Sequence, residues 1–365
     1  MNKGLIKGFT VSRLQAPLDQ PFRTALGEHR FLENVLFGLK LNDGTKGYGE
    51  AAIAKHITGE SLKVTFDNLQ KLGRSLIGKN VSDYVNISHG AHERLPHNKA
   101  AVAAIESALL DAMTRQLKIP LWRFFGKTCR RIQSDITIVI ADLQETTESV
   151  TRFYRNGFRS FKVKIGCDEK LDYERVLAVH TITKGCPIYL DANQGYNAQQ
   201  TLKFLRLLKG KKILPALIEQ PVAKHDWEGL KRVARLAGVP VCADESDRSF
   251  SDARRLIKEK SCQAINIKFT KCGILQARDI VALARSSGMK LMMGGMMETS
   301  LSMTASAHFA SALGCFDYID LDTPFFIKKG HDTNPFLNSR GVYDLKGVKA
   351  GIGIYPQRKN IFRDR

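Results

Sequence analysis

Between residues 134 and 322, short apolar runs alternate with amphipathic stretches in a steady rhythm. The runs are SDITIVI (134–140), FKVKIG (161–166), IYLDAN (188–193), ALIEQP (216–221), PVCADES (240–246), AINIKF (264–269), KLMMGG (290–295) and YIDLD (318–322). Helical periodicity fills the gaps, at 145–156, 171–183, 198–208, 227–236, 251–260, 274–287 and 300–313, with Gly157 and Gly238 placed as helix stops. Eight strand-like runs at the period of a βα unit predict a parallel α/β barrel over residues 131–323, because eight is the number at which such a sheet closes.

Residues 1–130 follow another pattern. LIKGFTVSRLQAP, ENVLFGLKLNDGTKGYGE and the Asn42-Asp43-Gly44 turn within the second predict an antiparallel meander. Helical stretches follow at 62–78 and 99–116, the second apolar around Ala104, Ile105, Ala108, Leu109 and Ala112. This is an α+β domain ahead of the barrel. The tail, 324–365, has no strand-helix period and is expected to pack back on that first domain, burying Phe325, Phe326, Tyr343 and Val348.

The polar residues that interrupt the apolar runs are concentrated where strands should stop. Asp191, Glu219 and Asp244 each close a run, and Lys164 and Lys268 bracket them. In a parallel barrel the carboxyl ends of the strands carry the chemistry. Three carboxylates without a histidine or thiol partner make a hard-oxygen site, suited to Mg²⁺, with Mn²⁺ as the alternative. The competing reading is that each acid caps the following helix or pairs with a lysine; three acids on consecutive strands weigh against it. Lys162 and Lys164, two apart on one strand, face the same way, toward the barrel interior. A lysine there is expensive unless it has a partner or a task.

Bulk composition narrows the field. The 365 residues are 43% hydrophobic, enough for a large core, and no apolar run is long enough for a membrane span or a secretory leader. Seven cysteines (129, 167, 186, 242, 262, 272, 315) are scattered with no C-x-x-C pair, which predicts reduced thiols in a cytoplasmic protein. The formal charge of +20 invites a nucleic-acid reading. No nucleic-acid-binding motif accompanies it, so neither nucleic acid nor membrane is expected as a partner, and the charge is assigned to solvated helix faces.

Taken in order, Lys162-Val163-Lys164, Leu190-Asp191-Ala192-Asn193, Ile218-Glu219-Gln220-Pro221, Ala243-Asp244-Glu245-Ser246 and Asn266-Ile267-Lys268 resemble the enolase superfamily, in its muconate-lactonizing-enzyme subgroup. Gly47 to Ala51 and Ala104 to Asp111 resemble its capping domain, and Glu298-Thr299-Ser300 its late barrel segment. The resemblance implies a (β/α)₇β modified TIM barrel under an N-terminal α+β capping domain. It implies Asp191, Glu219 and Asp244 as Mg²⁺ ligands, Lys164 and Lys268 as the acid/base pair, Lys162 as an electrostatic helper, and Asn193 and Glu245 behind the ligands. A Lys base with a Mg²⁺-stabilised enediolate is this superfamily's known pattern.

Asp320-Leu321-Asp322 narrows the reaction further. Two aspartates facing one way at the end of the eighth strand must meet a cation, and a dipeptide's N-terminal ammonium would satisfy both. With Asn266 to Gly273 and Ile57 to Glu60, this Asp-x-Asp resembles the dipeptide epimerases, which invert the C-terminal α-carbon by two-lysine 1,1-proton transfer through an enediolate. Thr137 and Glu298 are assigned to the substrate as well. Arg23 and Arg30 in the 21–30 loop and His56 in the 55–59 loop point to an acidic side chain, hence an L-Ala-D/L-Glu epimerase of peptidoglycan recycling; Glu28 leaves a cationic one open. The rival readings are o-succinylbenzoate synthase or muconate cycloisomerase, whose substrates leave Asp320 and Asp322 unexplained, and, more distantly, a non-catalytic anion- or nucleic-acid-binding protein. A homo-oligomer is compatible with the resemblance, which sets no subunit number.

Overall fold

The computed structural model describes residues 3–362; the outermost ends of the first and last predicted segments lie outside the described residues. Strands β1 (Ile6–Thr24), β2 (Gly27–Leu41) and β3 (Lys46–Ala51) form the antiparallel meander. The short strand Ile361–Phe362 pairs along the free edge of β1, so the chain's end completes a four-stranded sheet. Helices Leu62–Leu76 and Lys99–Gln116 cover this sheet, and Tyr84–Arg94, rich in polar residues and not foreseen, packs on Lys99–Gln116. Lys99–Gln116 is buried on almost every side, and its buried acids Glu106 and Asp111 are satisfied by backbone amides of neighbouring segments. It lies so close to β3 that a Cβ on Gly49 would stand 2.0 Å from the Ala104 carbonyl oxygen, which is why this strand carries glycine at that position.

The barrel strands are β4 (Ile136–Ile138), β5 (Phe161–Lys164), β6 (Ile188–Asp191), β7 (Leu217–Glu219), β8 (Val241–Ala243), β9 (Ala264–Ile267), β10 (Lys290–Met293) and β11 (Tyr318–Ile319). Each runs parallel to the next, and the Asp135 amide donates to the Ile319 carbonyl at 2.9 Å where the last strand returns to the first. The strands are shorter than their apolar runs. Asp244, Lys268, Asp320 and Asp322 therefore lie just past the strand ends, at the rim where the first domain sits. The helices after Asp191, Glu219 and Asp244 are capped by Asn197, Asp226 and Ser249, each accepting from a backbone amide of the first turn. The three acids are thus free of any capping duty.

The domain contact is specific. Glu106, from the buried helix, accepts from the Ile274 and Leu275 amides at the start of a barrel helix. Glu50 of β3 accepts from the amide and hydroxyl of Thr299, and Asn34 of β2 donates to the Met297 carbonyl at 2.8 Å. Among the described residues no helix is long and apolar enough to cross a membrane, and all seven cysteines are free.

Candidate active site

β6 and β7 run in register with Asp191 beside Glu219, and Asp244 follows the end of β8. All three carboxylates are buried. Each is held by an ammonium: Lys164 Nζ lies 2.6 Å from Asp191, Lys268 Nζ 2.6 Å from Asp244, and Lys162 Nζ 2.8 Å from Glu219 and 3.1 Å from Asp191. So the pairing half of the competing reading holds, while its capping half fails. Burial pushes Asp191 up, but Lys164 and Lys162 outweigh it and hold its carboxyl at about 2. Glu219 goes the other way, to about 7, through burial and the neighbouring charge of Asp191. Lys268, although burial works against its charge, is held above the ordinary lysine range by Asp244 and Glu219.

β5 and β9, which carry the two lysines, are separated by three strands on either side of an eight-strand ring. Lys164 and Lys268 therefore face one another across the barrel mouth, and both line a single cleft together with Asn193, Thr137, Asp320 and Asp322. Lys162 sits one layer deeper, and it also pairs with Asp320 at 2.6 Å. That ammonium joins the carboxylates at the centre of the site to the aspartates at its edge.

At that edge, Asp135, Asp320 and Asp322 each bring an oxygen within 4.8 Å of the other two, a gathering found for no other trio of His, Cys, Asp or Glu among the described residues. Asp322 accepts from the Thr137 amide at 2.5 Å; burial, then Asp320, push its carboxyl up to about 7. Asp135, fully buried with neither oxygen hydrogen-bonded, was missed in the sequence, where it starts a strand instead of ending one. Glu298 does not line the cleft. It is buried in its own loop, accepting from the Met296 amide and the Ser302 hydroxyl.

The cleft wall contributed by the first domain differs from expectation. Residues 21–30 are not a loop but the tip of the β1–β2 hairpin, with Phe22 opposite His29, Arg23 opposite Glu28 and Thr24 opposite Gly27. Side chains alternate across such a ribbon. Phe22, Thr24 and His29 consequently line the cleft, and Arg23, Glu28 and Arg30 do not. Arg23 pairs with Glu28 at 2.8 Å and with Glu145 of the barrel at 3.3 Å; Arg30 pairs with Glu28 at 2.5 Å with its side chain 76% exposed. His56 does reach the cleft, its ring 4.8 Å from that of His29, beside Ile57, Met296 and Met297. Burial lowers both imidazoles, and His56 lowers His29 further, so both are uncharged at neutral pH.

Three further oxygens bear on metal binding. Glu219 Oε2 touches Lys162 yet accepts no hydrogen bond, and Asn193 Oδ1 and Glu245 Oε2 are buried without a partner. Burial, then Asp244, raise Glu245 to about 8. Unfilled lone pairs on hard oxygens, with neither histidine nor thiolate among the strand-end groups, fit magnesium. Asp191, Glu219 and Asp244 are not gathered within 4.8 Å of one another, each being drawn to its lysine. Supporting residues that the sequence did not single out keep them in place. Gln220, in a left-handed backbone conformation at φ 32°, accepts from the Asp244 amide at 3.0 Å; Asn266 donates to Glu219 at 2.7 Å; Lys271 donates to Asp244 at 2.8 Å. Their signal was membership of the motifs quoted above: Gln220 follows one strand end, Asn266 precedes another and Lys271 lies four residues past it.

Comparison with known proteins agrees with this architecture. Residues 7–126 match the family model for the mandelate racemase / muconate lactonizing enzyme N-terminal domain, and residues 145–360 the enolase C-terminal domain-like model. A hydrophobic dipeptide epimerase from Citrifermentans bemidjiense is 46% identical over 360 residues, covering 96% of this chain and 98% of the relative. Among solved structures, a substrate-liganded complex of the L-Ala-D/L-Glu epimerase from Bacillus subtilis aligns with a TM-score of 0.92 at 31% identity, over 96% of this chain and 99% of that one. A dipeptide epimerase from Enterococcus faecalis V583, complexed with Mg and the dipeptide L-Leu-L-Tyr, gives 0.90 at 30% identity, over 96% and 99%. With both halves matched and the strand-end residues in place, the chain belongs to the mandelate racemase/muconate lactonizing enzyme family of the enolase superfamily.

Proposed function

We propose that this protein is an isomerase, a magnesium-dependent dipeptide epimerase that inverts the α-carbon of the C-terminal residue. The observation that carries the reading is that Lys164 and Lys268 line one cleft from opposite sides of the barrel, with two buried aspartates at its edge. One amine removes the α-proton and the opposite ammonium returns one to the other face, which inverts the centre. Asp320 and Asp322 hold the dipeptide's ammonium, with the Thr137 amide fixing Asp322. Lys162 keeps Asp191, Glu219 and Asp320 in mutual register. Asp191, Glu219 and Asp244 would hold Mg²⁺, backed by Glu245 and Asn193. The ion supplies positive charge that offsets the carboxylates and the charge gathering on the substrate carboxylate as its α-proton leaves.

For the substrate's second side chain, Phe22, Ile57, Met296 and Met297 offer apolar contact, and the two imidazoles beside them are uncharged. An apolar side chain fits this wall. A glutamate would meet His29 and His56, not Arg23 and Arg30, which the hairpin turns outward. A cytoplasmic setting accords with seven free cysteines.

The test is α-proton exchange in D₂O, followed by NMR, across L-Ala-L-Phe, L-Ala-L-Leu and L-Ala-L-Glu with Mg²⁺ present. Exchange and inversion of at least one dipeptide are expected; Lys164→Ala and Lys268→Ala should each abolish inversion, and each should abolish exchange only from the epimer whose proton that lysine faces. Absence of exchange with every dipeptide would remove the epimerase and favour a lyase or cycloisomerase of the same family.

A further inference from the structure

Arg175 is one of the largest fully buried side chains in the molecule, and nothing in the site as described uses it. It lies on the helix Glu169–Ile182, in a sequence stretch that reads as a solvated helix face. A buried guanidinium is costly unless its donors are matched, and here they are. Nη1 donates to the backbone carbonyl of Lys164 at 2.7 Å and to Asp172 at 3.2 Å, Nη2 to the Val139 carbonyl at 2.5 Å, and Nε to the Thr146 hydroxyl at 3.0 Å. Asp172 in turn accepts from the Gly166 amide at 2.7 Å and from the Tyr196 hydroxyl at 2.9 Å.

These contacts bear on the residue that carries Lys164. Arg175 grips the Lys164 carbonyl itself, and Asp172 grips the amide two residues on. Gly166, at φ 113°, turns the chain so close to the next strand that a Cβ there would stand 2.7 Å from the Ala192 carbonyl oxygen. The strand end is clamped from behind, and the lysine side chain projects from the clamped segment into the cleft. Val139, held by the same guanidinium, is just past the end of the neighbouring strand β4, so Lys164's position relative to that strand is fixed too. Among the described residues no hydrogen bond or ion pair of Arg175 reaches Asp191, Glu219, Asp244 or the Lys268 flank.

We infer that Arg175 is a positioning residue for Lys164 alone, setting the reach of one of the two amines and so the rate of one of the two proton abstractions. The inference rests on the two-lysine reading above. It has a consequence that a general scaffold role lacks: the two epimers of one dipeptide respond unequally. Each amine can abstract the proton from its own epimer and return a solvent-derived deuteron to the same face, so exchange with retention reports each amine separately. Net inversion needs both amines and cannot separate them.

The experiment measures early α-deuterium incorporation, with retention, into L-Ala-L-Phe and L-Ala-D-Phe, and into L-Ala-L-Glu and L-Ala-D-Glu, on the full chain with saturating Mg²⁺. Lys164→Ala and Lys268→Ala first assign an epimer to each amine. Arg175→Lys is then expected to slow exchange from the Lys164 epimer by about 10- to 100-fold, the usual cost of loosening a group behind a reacting one, and from the other epimer by less than about threefold. Tyr196→Phe, which keeps its volume and removes only one bond to Asp172, keeps the test alive if the arginine variant fails to fold. It should shift the ratio in the same direction by a smaller factor. Equal loss from both epimers, or no change in their ratio in either variant, overturns the inference while leaving the epimerase reading intact. Absence of exchange from all four peptides in the unaltered enzyme defeats that reading, and this one with it.

Discussion

Replacing Asp322 by asparagine removes one negative charge from the cleft edge and keeps an oxygen to accept the Thr137 amide bond. At ~4 Å and an effective dielectric near 20, a carboxylate and an ammonium attract by about 4 kcal/mol. Two features reduce the net loss. Asp320 remains, although Lys162 already draws on it at 2.6 Å. Asp322 itself, pushed up to about 7 by burial and then by Asp320, costs only a few tenths of a kcal/mol (roughly RT ln 2) to ionise at pH 7. The remainder, about 2–3 kcal/mol, corresponds to a fall of about 30- to 150-fold in kcat/KM. The assay compares a dipeptide with its N-acetyl derivative, which lacks the ammonium. The fall should appear with the free dipeptide and be nearly absent with the acetylated one. In the unaltered enzyme kcat/KM for the free dipeptide should also rise with pH through about 7, as Asp322 gives up its proton, and this rise should be shallower in Asp322→Asn. If both peptides lose activity by the same factor, Asp322 does not recognise the ammonium and the substrate reasoning fails.

Three further outcomes follow from the geometry. Chelation of divalent ions should abolish exchange and readdition of Mg²⁺ restore it, while Asp244→Asn should weaken Mg²⁺ binding by more than about 100-fold in a calorimetric titration, losing more than the outer supports of a metal are usually worth. Glu50, buried and facing Glu298, is pushed up to about 8. A carboxyl raised on folding lends stability below its unfolded pKa and loses it as pH climbs toward the folded value, so Glu50→Gln should gain in Tm over the unaltered protein between pH 5 and pH 8, as read by scanning calorimetry. His56→Arg places a permanent cation in the cleft. It should raise kcat/KM for L-Ala-L-Glu relative to L-Ala-L-Phe by about tenfold, the order of one exposed-to-buried ion pair; an unchanged ratio means the side chain docks elsewhere.

The barrel and its reactive centre could be read from the chain because both leave local marks. A strand that ends in a carboxylate or lysine, as six of the eight runs do, announces its rim position in five or six residues, and eight runs at one period leave few architectures. Arg23 and Arg30 could not be placed that way. Whether they face the cleft depends on the register of a hairpin whose turn, Ala25-Leu26, carries none of the usual Asn-Gly or Asp-Gly signals. A one-residue slip would have exchanged them for Phe22, Thr24 and His29. Arg175 and Asp135 escaped notice for a different reason. Charged residues on a helix or at a strand start are usually solvated, and only three-dimensional contact shows that these two are not.

The β1–β2 ribbon has an outer face as well as an inner one. Arg23 fastens it to the barrel through Glu145 and through its own carbonyl, which accepts from the Ile140 amide at 3.1 Å. Anchorage is thus vested in odd-numbered Arg23, while positions 22, 24 and 29 line the cleft. Substitutions at 24 and 29 can redecorate one wall without unmooring the ribbon, whereas Phe22 also packs edge-on against Phe326; Lys164 and Lys268 hang from a separate sheet altogether. A scaffold divided in this way can change its taste in side chains while its chemistry stays constant.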